Sequence, residues 1–430
     1  MPKGKKKGKY EHKRTEQCYS SDEDAGIDMT IDNMSETSGQ SDLRSIHDEA
    51  DAEIQEKFEE KVMETIDGLG ARANAARAAA FTSLRAALQR RYLAPLLANH
   101  RATLADYLTK AIRRGRDGER KAAASLAPLL ALQIGEDGTE EFMKEVRPAL
   151  VACAVDKSAS IETRTECCLS LSVICYLLEE DLSEILEVMR MYETIFSGSY
   201  LKGDGSVKVS GLAVEQGSLH AAALDGWALL LSLPPAEHTA ALLRTTPPGF
   251  SRLADLLTAA SLEVRMAAGG ALAIAYECIE DTDAGDDASD YVETLLPRLD
   301  SLARDSHKFR AKKERKLQRA TFRDILKYFE EDTVPALSVR VGSEKAEFGT
   351  WSGRAAYGAL AGTLGAGLQA LAPHAAALRG ALGLPDAVAT LLPKKKLNKL
   401  HRHLANNAAD KARTVARGKN RDKRSAALAI

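Results

Sequence analysis

Apolar residues recur at helical spacing through most of this 430-residue chain. Ile54, Phe58, Val62 and Ile66 lie four residues apart, which places them on one face of a helix that starts near residue 52. After Pro335 the pattern changes, because the stretches LSVRVG and AEFGTWSG alternate in polarity and predict two short strands of a hairpin. The pattern therefore predicts a protein built almost entirely of helices.

A degenerate repeat lies in the middle of the chain. A basic residue is followed by a small residue at +3 and by a larger apolar residue at +7, positions that share the packed face of a helix. Successive copies are 43, 44, 56 and 45 residues apart, and the long spacing contains a Gly-rich insertion at 197–211. This period is typical of armadillo and HEAT repeats. The basic positions are Arg77, Arg120 (a looser fit), Arg164, His220 and Arg265.

We predict an all-α fold, an armadillo- or HEAT-like helical repeat solenoid with a small α+β C-terminal domain and a basic C-terminal helix. An irregular all-helical domain is the alternative, because the repeat is faint. The predicted domains are a disordered, basic-then-acidic N-terminal arm (1–50), the helical repeats (51–334), a hairpin with small-residue helices (335–392) and a basic helix or tail (393–430).

Charge is strongly segregated along a chain whose formal net charge is only −2. Residues 1–14 carry +6, residues 15–60 carry −13 and residues 394–424 carry +10. A cationic segment as dense as the last one stabilises a bound polyanion by releasing its counterions, and RNA is the first candidate. Because this tail has no Phe, Tyr or Trp, we expect contacts with the phosphate backbone rather than with bases. The residues assigned to this contact are Lys394, Lys395, Lys396, Lys399, Arg402, His403, Lys411, Arg413, Arg417, Lys419, Arg421, Lys423 and Arg424.

A second basic run, DSHKFRAKKERKLQR at 305–319, leads into an amphipathic helix. It is either the solvated face of that helix or a second contact with a polyanion. The residues of this second basic patch are Lys308, Arg310, Lys312, Lys313, Arg315, Lys316 and Arg319.

The acidic arm contains two serines in a setting suited to modification. Ser20 and Ser21 precede Asp22-Glu23-Asp24, the context that an acidophilic kinase uses. A phosphate there would deepen the local negative charge, and an unmodified acidic arm is the alternative.

Little in the sequence resembles an active site. The common nucleotide-binding, serine-hydrolase and zinc-protease motifs are missing. His401 and His403 lie two residues apart, so on a helix they point in different directions and cannot share a metal ion. The acidic run at 281–290 lacks the glycine and glutamate of a calcium loop and indicates a solvated inter-helix loop. We expect no catalytic residue, metal, cofactor or small-molecule substrate.

Cysteine usage and hydropathy bear on the compartment. The six cysteines form no CxxC pair, which indicates buried, reduced thiols in an intracellular protein. No apolar run approaches the length of a membrane span, and the start MPKGKKKGKY differs from a signal peptide. We therefore expect a soluble protein of the cytoplasm or nucleus with no membrane partner.

Several motifs resemble the interferon-related developmental regulator family. The acidic Ser21-Asp22-Glu23-Asp24-Ala25, the string Tyr200-Leu201-Lys202 and Arg265-Met266-Ala267-Ala268-Gly269 occur in the order that the family shows. The pattern Arg-x-x-Phe-Arg-Asp-Ile-Leu within 316–326 and the tail are the most specific. The matching tail elements are Arg402-His403-Leu404, Asn406, Ala408-Ala409, Lys411-Ala412-Arg413-Thr414, Arg417, Lys419 and Arg421-Asp422-Lys423-Arg424.

The resemblance implies an armadillo-like body, a small C-terminal domain and no enzymatic activity. It also implies a factor of translationally inactive ribosomes, whose basic C-terminal helix enters the mRNA channel and the tRNA exit region and so represses translation. Its partners would be ribosomal RNA and small-subunit proteins, in the cytoplasm. The alternative is a nuclear transcriptional co-regulator that binds co-repressor proteins through the groove of the repeats.

Overall fold

The computed structural model describes residues 43–134, 136–201, 215–246, 248–304 and 312–385. The chain divides into a unit that ends at Ile54 and a unit that begins at Gln55, and the account below concerns the second. The helices are α1 (Leu43–Gly68), α2 (Asn74–Leu88), α3 (Ala94–Leu97), α4 (Arg101–Arg114), α5 (Asp117–Ile134), α6 (Glu136–Val155), α7 (Ile161–Leu178), α8 (Leu182–Phe196), α9 (Gly217–Leu231), α10 (Ala236–Thr245), α11 (Phe250–Asp255), α12 (Leu262–Glu277), α13 (Asp283–Arg304), α14 (Lys312–Glu331), α15 (Trp351–Leu364), α16 (Gly367–Leu371) and α17 (Ala376–Ala381). Short 3-10 helices span Ala98–His100, Ser197–Ser199 and Leu256–Thr258.

The helices of the second unit form two layers. The inner layer is a row in which α2 packs on α5, α5 on α7, α7 on α9, α9 on α12 and α12 on α14. The outer layer covers it from one side, with α4 and α6 on α5, α8 on α9, α11 on α12 and α13 on α14. Each inner helix thus contacts its neighbours along the chain, which confirms the predicted all-α helical repeat fold.

The basic position of the sequence repeat has one structural role. Arg77, Arg164 and Arg265 are each the fourth residue of an inner helix. Their guanidinium groups donate to backbone carbonyls that precede the helix: to Ala71 O at 2.8 Å, to Ala154 O at 2.8 Å and to Ala259 O at 2.6 Å. These carbonyls lie at the C-terminal end of the preceding helix or in the turn that follows it, so the arginines tie each inner helix to the element before it.

The same side chains also join neighbouring repeats. Arg77 forms a bidentate ion pair with Glu119 of α5, with N···O distances of 2.6 and 2.9 Å, and Glu119 is only 3% exposed. Arg120 donates to Asp156, just before α7, at 2.9 Å. Charge-assisted hydrogen bonds of this kind are stronger than neutral ones and hold successive inner helices in register.

The small and apolar positions of the repeat pack between the inner helices. A Cβ on Gly269 of α12 would lie 2.7 Å from Ile325 Cδ1 and 3.0 Å from Phe322 Cε1 of α14, so these helices approach as closely as a glycine allows. The +3 and +7 positions predicted to be buried are buried: Ala80, Leu84, Cys167, Leu171, Ala223, Trp227, Ala268 and Leu272.

A two-stranded sheet follows α14, as the sequence predicted. The antiparallel strands are β1 (Leu337–Val341) and β2 (Glu344–Phe348), with Val339 opposite Ala346. Gly342, the first residue of the two-residue loop between them, has a φ of +59°, which a side-chain-bearing residue rarely adopts. The short helices α15 to α17 complete the C-terminal part.

Two local details differ from the sequence prediction. Helix α1 begins at Leu43, ahead of the predicted start near residue 52. The prediction of a loop at 281–290 is wrong from Asp283 onward, where α13 begins. Carboxylates in the first turn of a helix are stabilised by its macrodipole, so Asp283 and Asp286 favour the start of a helix rather than a loop.

The cysteines within the described ranges are free thiols. Cys153, Cys167, Cys168 and Cys175 are buried, and Cys278 is half-buried. Burial raises the pKa of Cys168 to about 12, which keeps its thiol neutral and unreactive. The prediction of buried, free thiols is therefore confirmed for the four buried positions, while Cys278 is only half-buried and Cys18 lies outside the described residues.

We expect Leu272→Asp to destabilise the array strongly. Leu272 is 0% exposed in the middle of α12, so the new carboxylate would be desolvated without a partner. The free energy of unfolding should fall by at least about 3 kcal/mol in urea denaturation. The matched control is Leu317→Asp, at a position that is 52% exposed, which should change it by less than about 1 kcal/mol. Equal effects at the two sites would contradict the packing described above.

We expect His220 to make stability depend on pH. His220 is 4% exposed, and burial, with the nearby Arg164 charge, lowers its pKa to about 4. In the unfolded chain its pKa is about 6.5, so between these values the unfolded state binds a proton that the folded state does not. The contribution of neutral His220 should be lost as pH falls from about 6.5 to about 4. Denaturation of the wild type and His220→Gln at pH 7.0, 5.5 and 4.5 should show a stability difference that shrinks with acidity; a constant difference would contradict it.

Candidate functional site: the inner face and the basic segments

The face of the inner layer that the outer helices leave open is covered by the protein's own helix α15. This helix contacts α5, α7, α9 and α12, and α17 contacts α7. The sequence predicted a groove along the repeats but did not indicate what binds in it. The occupant is the C-terminal part of the same chain.

The N-terminus of α15 is anchored by Glu277, the last residue of α12. The Glu277 carboxylate accepts hydrogen bonds from the backbone N–H groups of Trp351 at 2.6 Å and Ser352 at 2.8 Å. Thr350 Oγ1 accepts from the next N–H, that of Gly353, at 3.0 Å. The first N–H groups of a helix lack intrahelical partners, and a carboxylate there is further stabilised by the macrodipole. Glu277 therefore supplies both hydrogen bonds and charge complementarity.

The C-terminus of α15 is anchored on α2, in the first repeat. Arg85 Nη2 donates to Thr363 O at 3.3 Å, and Gln89 Nε2 donates to Leu364 O at 3.0 Å. These are terminal carbonyls of α15, and a cation near them complements the negative end of the helix. Helix α15 thus runs from α12 to α2 and bridges five inner helices.

Small residues allow α15 and α16 to lie close to the inner layer. A Cβ on Gly367, the first residue of α16, would lie 2.5 Å from Leu129 Cδ2 of α5. Gly365, which ends α15, has a φ of +56°. This contact accounts for Gly367, whereas Gly358 and Gly362 of α15 face open space. The residues of α15 that are buried are Ala356, Leu360, Thr363 and Leu364.

An aromatic cluster supports the anchored N-terminus of α15. Tyr328 of α14 has its ring centroid 6.1 Å from Tyr276, 5.4 Å from Phe329 and 5.9 Å from Trp351. Its hydroxyl donates to Glu280 Oε2 at 3.2 Å, and burial raises its pKa, so the hydroxyl stays protonated. The cluster joins α12, α14 and α15 next to Glu277.

Arg379 of α17 fixes the chain just before the basic tail. Its side chain is 2% exposed and forms a bidentate ion pair with Glu344 of β2, at 2.8 and 2.9 Å. Its Nε donates to Pro385 O at 2.8 Å. These contacts hold Pro385, the last described residue, next to the hairpin.

The described residues of the second basic patch lie in the first two turns of α14. Lys312, Lys313 and Lys316 are exposed, and Arg315 and Arg319 are half-buried. Arg319 Nε donates to Arg315 O at 3.2 Å, so this arginine is partly used within the helix. The structure therefore presents three lysines of this patch to solvent.

Other predicted site residues lie outside the described residues. These are Ser20 and Ser21, Lys308 and Arg310, and the tail residues Lys394, Lys395, Lys396, Lys399, Arg402, His403, Lys411, Arg413, Arg417, Lys419, Arg421, Lys423 and Arg424. Their assignments remain predictions.

Sequence reasoning missed a basic cluster in the first two repeats. Residues 72–121 contain twelve Lys and Arg against three acids, a net charge of +9. A running charge count would have found it. One of the acids, Glu119, is buried in an ion pair with Arg77, so the remaining side chains carry the same net charge of +9.

Two kinds of site are absent from the part of the chain that the structure describes. No group of three or more His, Cys, Asp or Glu side chains there could hold a metal ion. No helix there is long and apolar enough to cross a membrane.

We expect removal of the Glu277 carboxylate to loosen α15 selectively. Glu277→Ala leaves two helix N–H groups without their acceptor, at a cost of about 1–3 kcal/mol. Hydrogen–deuterium exchange of peptides covering 351–364 should become at least about tenfold faster, while peptides of α9 stay protected. Glu263→Ala, which removes an exposed glutamate from the first turn of the same helix, is the control. Unchanged exchange of 351–364 in Glu277→Ala would show that this anchor does not hold α15.

Comparisons with known proteins agree over nearly the whole chain. Residues 33–330 match the family described as Interferon-related developmental regulator, and residues 377–425 match the Interferon-related protein conserved region. The second match includes Arg379 and most of the basic tail.

Individual relatives cover most of both chains. Interferon-related developmental regulator 1 of Sus scrofa is 33% identical over 413 residues, covering 94% of this chain and 90% of the relative. The protein of the same name from Homo sapiens is 32% identical, covering 94% and 89%. Interferon-related developmental regulator 2 of Mus musculus is 34% identical over 374 residues, covering 86% and 83%. The chain therefore belongs to the interferon-related developmental regulator family, which is not a known enzyme family.

Proposed function

We propose that this protein is a non-enzymatic factor that binds translationally inactive ribosomes and represses translation. Its basic C-terminal segment enters the mRNA channel and the tRNA exit region, where it contacts ribosomal RNA and small-subunit proteins. The observation that carries the proposal is the net charge of +10 within residues 394–424, on a chain that is otherwise slightly acidic. Such a segment gains affinity for a polyanion by counterion release.

The position of α15 bears on the alternative, a nuclear co-regulator that binds co-repressor proteins through the groove of the repeats. The face that such partners would use is bridged by α15, which is hydrogen-bonded at both ends. A partner there would have to break these bonds first, at a cost in affinity. We therefore favour the cytoplasmic, ribosome-binding role.

We expect four arginines of the tail to dominate RNA affinity. Arg413, Arg417, Arg421 and Arg424 recur at helical spacing, so on one helix they form a ridge that tracks a phosphate backbone. Replacing all four with Glu should abolish binding to ribosomes in sedimentation. For the wild type, the slope of log K against log salt should be about −4 to −7.

The controls separate charge from side-chain identity. Replacing the same four arginines with Lys keeps the charge and should keep most of the slope, because counterion release depends on charge. Replacing Leu397 and Leu400 with Ala should weaken binding without changing the slope. Tight binding by the four-Glu variant, or a wild-type slope near zero, would refute the proposed role of the tail.

A further inference from the structure

The N-termini of the first inner helices lie along one edge of the layer. Ser160 N, just before α7, donates to Asp117 Oδ1, at the start of α5, at 3.0 Å, and Thr163 Oγ1 donates to Asp117 O at 3.2 Å. Arg77 near the start of α2 reaches Glu119 in the same way. The turns 71–73, 113–116 and 156–159 are therefore neighbours, each offset from the next by one inner helix.

These turns carry cations without internal partners. We call the exposed side chains of Arg72, Arg113, Arg114, Arg116 and Lys157 the basic edge. Within the described ranges, none of them donates a side-chain hydrogen bond or forms an ion pair, whereas Lys110 and Lys144 on the outer helices both do.

The acids at this edge are largely used inside the fold. Asp156 accepts hydrogen bonds from Ser158 and from Arg120, which together lower its pKa to about 2. Glu119 is buried against Arg77, and Asp117 accepts from Ser160. Glu162 is the acid of the first turn of α7 that stays exposed. The edge therefore presents a net positive surface.

Folding stability does not explain three of these cations. Arg72 and Arg116 lie within two residues of the starts of α2 and α5, where a cation opposes the helix macrodipole, and Lys157 lies in the turn four residues before α7. Helix α2 also lacks a side-chain cap, because its N-cap is Ala73. Arg113 and Arg114, in the last turn of α4, complement a helix end. An external anion would relieve the unfavourable charges at the starts of α2 and α5 and meet the uncapped N-terminus of α2.

We propose that the basic edge binds the phosphate backbone of RNA, as a second contact beside the tail. This inference rests on the proposed function for the choice of RNA as the target. The cations are spread over three repeats, roughly 16–20 Å at the usual spacing of packed helices. That length fits an extended polyanion better than a single phosphate or headgroup. Of the exposed large apolar side chains described, only Val155 lies at this edge, which does not suit a membrane surface.

The test uses the full-length protein with Arg72, Arg116 and Lys157 replaced by Gln. These side chains make no internal bonds, so the melting temperature should not fall. Affinity for ribosomes and for a 30-nucleotide single-stranded RNA should fall at least about tenfold at 0.1 M salt, and the slope of log K against log salt should become shallower by about 2. The matched control replaces Lys110, Lys144 and Lys327 with Gln, which removes the same charge from other exposed positions.

The outcomes separate the two proposals. An edge variant that binds RNA like the control overturns the basic edge, and the role of the tail stands if the four-Glu tail variant still fails to bind. Loss of binding in the edge variant, with binding retained by the tail variant, supports the edge and refutes the tail. Vesicles of phosphatidylserine provide a further arm: loss of vesicle binding without loss of RNA binding would overturn the choice of RNA.

Discussion

The architecture depends on a hydrogen-bonded polar side chain at the fourth residue of five inner helices, α2, α5, α7, α9 and α12. A repeat array has no central core that all its parts share, so each repeat is positioned only by its neighbours. Arg77 positions its repeat through two contacts: it donates to Ala71 O, which precedes its own helix, and to Glu119 of the next inner helix. His220 takes the position in α9, where its Nδ1 lies 2.6 Å from Ser199 Oγ. These contacts align the inner helices, and they thereby form two surfaces: the inner face of the layer and the edge where the inner helices begin.

The inner face is covered by the protein's own chain, whereas the edge where the inner helices begin is exposed. The inner face is used within the molecule, since α15 is tied to Glu277 at one end and to Arg85 at the other. The edge where the inner helices begin keeps its cations unpaired. A family named for regulation need not expose a groove to act on partners. The proposed contacts with a polyanion are therefore the basic edge and the tail, and neither needs the inner face.

Local patterns were predictable from the sequence and long-range contacts were not. The repeat was predictable from residues such as Arg265 and Leu272, because both lie on one helix at a fixed spacing. The hairpin was predictable from the two alternating stretches on either side of Gly342. The position of α15 depends on a hydrogen bond between Glu277 and Trp351, which are 74 residues apart. No local sequence pattern links residues so far apart. The grouping of the basic edge could not be predicted from the sequence, because its side chains lie in three separate turns that become neighbours only after folding. The tail, where the sequence signal is strongest, lies outside the described residues.

The bridge made by α15 also sets an order of events for the newly made chain. Arg85 and Thr363 are 278 residues apart, so their contact closes a loop that contains more than half of the chain. Contacts of this separation form late, whereas neighbouring repeats can pack as soon as each is synthesised. The nascent array must therefore persist with its apolar inner face uncovered until residues 351–364 arrive. A chain truncated before Trp351 would lack the helix that covers this face.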